Sequence, residues 1–151
     1  MVHLITVVCA VTGALTDDPP TPVSKALEEH QGTWRVVSFQ RDGMKTPDEL
    51  ARSIVRVVEK DHVVWKREGK SFAGTKLVLD PSADPKRIDV IPDGGRDFGK
   101  HVLGIYKQDG DDLTICMADA DAPRPTKFEA GEGTKWTLMT FRREKEVRED
   151  R

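Results

Sequence analysis

A chain of 151 residues is long enough to bury the core of one domain and too short for two ordinary ones. Its 24 basic and 26 acidic side chains leave a formal charge of -2 and are dispersed rather than blocked, so no nucleic-acid partner is expected.

In chain order, residues 1–15 come first and carry no Asp, Glu, Lys or Arg. That stretch is too short to span a bilayer and reads as a signal peptide, with Thr12 and Ala14 as the small residues before a cut. The expectation is a secreted or periplasmic protein with no membrane span. A lipid anchor on Cys9 is the weaker alternative, because Thr6-Val7-Val8 supplies no small residue beside the cysteine. Residues 16–24, rich in Asp, Pro and Thr, read as a linker, residues 25–145 as the domain, and residues 146–151 as a charged, solvated tail.

Ser24 can cap a short helix over Lys25 to His30, which Gly32 ends. Strand-length runs then alternate with turn residues. They are Trp34 to Arg41, Ser53 to Glu59, His62 to Arg67, Ser71 to Leu79, Arg87 to Ile91, Lys100 to Lys107, Asp112 to Ala118 and Lys135 to Arg143. Thr46-Pro47-Asp48-Glu49 has the cap, proline and acidic first turn of a second short helix, Pro47 to Ala51. Asp42-Gly43, Glu68-Gly69-Lys70 and Asp109-Gly110-Asp111 read as turns, and Asp119 to Thr134 as a longer loop. Eight strands predict an all-β, antiparallel barrel with one or two short helices, its interior filled by side chains or holding one small ligand.

Catalytic chemistry finds no support. There is no Gly-X-Ser-X-Gly and no Ser, His and Asp grouping ordered like a hydrolase. His3, His30, His62 and His101 show no ligand-like spacing, so neither a metal nor a cofactor is expected. Cys116 lies in an apolar run without basic neighbours and reads as an inert, buried thiol.

Gly32-Thr33-Trp34, Asp42-Gly43, Leu79-Asp80-Pro81, Gly104-Ile105-Tyr106, Arg124-Pro125 and Phe128 occur in this order. With that set, the chain over about residues 26 to 145 resembles the uncharacterised lipocalin-like domain family found in many copies in planctomycetes. The resemblance implies an eight-stranded lipocalin-like barrel, usually exported, with no established activity. It also implies that Trp34 lies at the barrel floor with Arg143 from the last strand against it. Unlike true lipocalins, the chain has short strands and no long first loop to form a lid, so a roomy cup is not expected.

The reading that follows is a non-enzymatic, exported module that binds a small apolar or amphipathic ligand. Val37, Phe39, Leu103, Ile105, Met139 and Phe141 are the expected cavity-facing residues. The alternative is a packed barrel that binds nothing inside and presents the 119–134 loop to a protein partner, with Arg124 as its recognition residue. A loop salt bridge is the plainer role for Arg124.

Overall fold

A computed structural model describes residues 18–145. The signal-peptide and lipidation readings and the 146–151 tail fall outside the described residues. The first helix, α1 (Pro22–Glu29), begins earlier than Ser24 suggests. Thr21 is its cap, accepting from the Ser24 amide at 3.1 Å, and Pro22 occupies the first turn, where its missing N–H costs nothing. Residues 22–24 therefore belong to the helix and not to a linker.

The strands are β1 (Gly32–Arg41), β2 (Met44–Lys45), β3 (Ile54–Glu59), β4 (His62–Arg67), β5 (Lys70–Asp80), β6 (Lys86–Pro92), β7 (Val102–Asp109), β8 (Asp112–Ala120) and β9 (Thr137–Arg143). All neighbouring pairs are antiparallel, and β9 returns to β1, closing a lipocalin-like barrel of eight strands. The two-residue β2, which the sequence reading lacks, is an appendage on β1 and not a ninth stave. The second helix, α2 (Asp48–Arg52), follows it and buries Ala51. Asp42 and Gly43 both take positive φ (46° and 82°), as do Glu68 and Gly69 (50° and 77°), the backbone that tight hairpin turns need to match strand twist.

Strand direction sorts the connections between two ends. Helix α1 and the turns at 60–61, 81–85 and 110–111 lie at the floor. The segments 42–53, 68–69, 93–101 and 121–136 surround the mouth. At the floor Gln31 clamps the helix end to the β3–β4 turn, donating to the Lys60 carbonyl at 2.8 Å and accepting from the Lys60 amide at 2.6 Å.

Trp34, Val36, Val58, Val63, Leu77, Leu79, Ile88, Leu113, Ile115 and Phe141 fill the lower barrel. A mid-strand glycine, Gly104, is required there. A side chain on it would collide with the Met117 sulfur and stand 2.7 Å from the Cys116 carbonyl oxygen. Gly104→Ala should destabilise by about 1–3 kcal/mol, read as a lower urea midpoint with an unchanged m value. A variant as stable as wild type would refute the clash.

Residues 121–136 do not hang free. Arg124 donates to Asp89 at 2.5 Å and to the Gly104 carbonyl at 2.7 Å, so the loop is pinned against the outside of β6 and β7. Cys116 donates to the Glu129 carbonyl at 3.2 Å. Asp42 accepts from the amides of Gly133 and Lys135 at 2.8 and 3.0 Å. Ile105, Cys116, Pro125 and Ala130 are all buried yet stand apart from the inner core, forming a second apolar layer beneath this loop. Burial raises the Cys116 thiol pKa, which keeps it protonated and unreactive.

Among the described residues no helix is long and apolar enough to cross a membrane, and no three His, Cys, Asp or Glu side chains gather to hold a metal ion.

Candidate functional site

The floor is built around Trp34, which is fully buried. Its indole N–H donates to the His30 carbonyl at 3.0 Å, and the Arg143 guanidinium lies over its ring, 4.3 Å from the centroid. Arg143 also donates to the carbonyls of Gln31 and, at 2.6 Å, Glu29, which α1 leaves unpaired at its C-terminal end. Its remaining contact is Asp111 at 3.0 Å. One arginine thus caps the helix and covers the indole, so Trp34 and Arg143 act as a structural seal.

The mouth is an apolar cup of about 460 Å³, within the size range of small-molecule sites. Phe39, Ile54, Trp65, Val102, Met117 and Met139 form its walls and base. Phe72 and Arg67 stand at the rim, with the Arg67 guanidinium 5.8 Å from the Phe72 ring centre. Among the described residues, no Asp or Glu lines the cup.

Of the expected cavity residues, Phe39 and Met139 line this cup, and Phe141 is buried directly below, its ring 6.0 Å from that of Trp65. Val37 is not with them. A bulge between Val36 and Ser38 shifts the strand's alternation, so Trp34, Val36 and Phe39 face inward while Val37 is exposed outside. Leu103 and Ile105 also face outward, on the side of Asp89, because Val102 and Tyr106 take the inner face of β7. Arg124 is likewise not a free recognition residue. It is largely buried and committed to Asp89 on β6 rather than to an acid of its own loop.

Sequence reasoning missed three buried polar side chains, His30, Arg56 and Thr75. Arg56 on β3 is only 1% exposed, and its guanidinium carbon lies about 6 Å from the ring centres of both Trp65 (6.0 Å) and Phe141 (5.9 Å). Nη1 donates to His30 Nε2 at 2.7 Å. An arginine has only donors, so Nε2 must be the acceptor and the His30 proton sits on Nδ1. His30 is completely buried between Trp34 and Tyr106, whose ring centres lie 6.0 and 5.9 Å away. Burial first, and then the Arg56 cation, push its pKa down to about 2, so the ring is neutral. Among the described residues, His30 Nδ1, Arg56 Nη2 and Thr75 Oγ1 have no hydrogen-bond partner.

In comparisons with known proteins, no family model, no curated protein and no solved structure matches this chain.

Proposed function

We propose that this chain is a non-enzymatic, exported carrier module that takes a small apolar or amphipathic ligand into the mouth of its barrel. It is one more member, on this reading, of the uncharacterised lipocalin-like domain family it resembles. The apolar cup bordered by Phe39, Trp65 and Met139 carries the reading, since a concave apolar surface of this size is costly to leave in water. The pinned loop at 121–136 lends less support to a protein partner at Arg124. The second reading, a packed interaction barrel, draws on the filled lower interior, which confines any ligand to the upper half.

Nile red, a neutral solvatochromic dye, separates the two. The native chain should bind it with a blue shift, and Phe39→Asp, which places a charge on the cup wall, should weaken binding at least about tenfold. Unchanged dye affinity in a folded Phe39→Asp protein, or no binding by the native chain, would sink the carrier reading.

A further inference from the structure

Arg56 poses a question that the packing around it does not answer. Taking a cation out of water without a counter-ion is among the costliest things a protein interior can do. Arg56 is buried, its one side-chain hydrogen bond goes to a neutral imidazole, and no carboxylate among the described residues is paired with it. Burial lowers its pKa to about 9, so it remains charged at neutral pH. Nη2, a donor with no acceptor, is left over. So is the Thr75 hydroxyl, which shares the inner barrel face with Leu77 and Leu79. On the neighbouring strand, Trp65, the register partner of Arg56, belongs both to the wall of the cup and to the surroundings of the guanidinium. Met117 and Met139, whose unbranched side chains rearrange readily, form part of the cup's base.

We infer that the ligand carries a singly charged head group of carboxylate size, which passes Trp65 to pair with Arg56 while its apolar tail occupies the cup. The inference rests on the carrier reading and specifies its ligand. It accounts for two features together: the unpaired cation with its leftover Nη2 donor, and a cup in which, among the described residues, no acidic side chain would repel such a head. A neutral ligand would leave Arg56 as costly bound as free. An anion converts that cost into a charge-assisted hydrogen bond in a dry site, where such bonds are strong.

Displacement of Nile red by decanoate and by 1-decanol at pH 7.4 tests this, since the two differ only in the head. Decanoate should compete at least about tenfold more strongly. That preference should vanish in Arg56→Met and survive in Arg67→Gln, which removes the rim cation alone. Free of ligand, Arg56→Met should also melt at a higher temperature than the native chain, because a well-packed apolar side chain replaces an unpaired buried charge.

Equal competition by acid and alcohol would overturn the anionic head and leave the carrier reading standing. Failure of decanoate to displace the dye would overturn it as well. A preference lost in Arg67→Gln but kept in Arg56→Met would move the anion to the rim and overturn the assignment to Arg56. If Nile red itself does not bind, both readings fall. Should Arg56→Met not fold, the native chain decides alone: decanoate should raise its melting temperature and decanol at equal saturation should raise it less.

Discussion

Trp34→Ala should destabilise the barrel by about 3–5 kcal/mol, a large share of the 5–15 kcal/mol that separates folded from unfolded in most domains. Three losses combine in that figure. The indole is fully buried, so its removal opens a cavity that the closed end of a barrel cannot easily collapse. Its N–H no longer satisfies the His30 carbonyl. Arg143 loses the ring it covers, although its bonds to Glu29 and Gln31 remain. Trp34→Phe separates the terms, because it retains much of the packing and removes only the donor and some area. It should cost about 1–2 kcal/mol. Urea unfolding followed by far-ultraviolet circular dichroism measures both. If alanine costs no more than phenylalanine, the floor is not packed as described and α1 can settle onto the gap.

The strand count and the turns were legible because the punctuation is local. Asp42-Gly43 and the glycine of Glu68-Gly69 reverse the chain through residues that tolerate positive φ, whatever surrounds them. The Trp34 and Arg143 pairing was legible only as what the resemblance implies; the closed barrel realises it by bringing the first and last staves together, with Trp34 opposite Arg143. The lining of the cup was legible only in part, since alternation fails wherever a bulge intervenes. One extra residue near Val37 reverses which side chains face inward, and nothing about a valine marks that event. On β7 both faces are apolar because the loop at 121–136 buries the outer one. Hydrophobicity therefore could not choose between Val102 with Tyr106 and Leu103 with Ile105. Arg56 was hidden by the ordinary expectation that arginine seeks water. The only signal was its place as the one charge within Ile54-Val55-Arg56-Val57-Val58, where the inner positions 54, 56 and 58 would otherwise be uniformly apolar.

Acid should weaken this protein earlier than carboxylate titration alone requires, with His30 as the cause. In the folded state the ring is neutral at any pH well above about 2, whereas in the unfolded chain it takes up a proton near its ordinary value of 6.5. Below that value the unfolded chain therefore binds one more proton than the folded one. Stability falls as pH falls, with a limiting slope of about 1.4 kcal/mol per pH unit for a single proton. Between pH 6.5 and 4.5 the loss should approach about 2 kcal/mol. The surroundings explain why the folded ring refuses the proton. Arg56 on β3 and Arg143 on β9 are cations close by, the aromatic faces of Trp34 and Tyr106 exclude water, and Nε2 is already accepting from Arg56. A protonated His30 would forfeit that hydrogen bond and set two positive charges side by side in the interior. His30→Gln removes the titration while keeping an acceptor for Arg56, so its stability should be nearly flat over the same interval relative to wild type. Urea midpoints at pH 7.0, 5.5 and 4.5 for the two proteins give the comparison directly. Parallel slopes would mean that His30 titrates alike in both states, and that the imidazole beside Arg56 is reached by water rather than sealed beneath the cup.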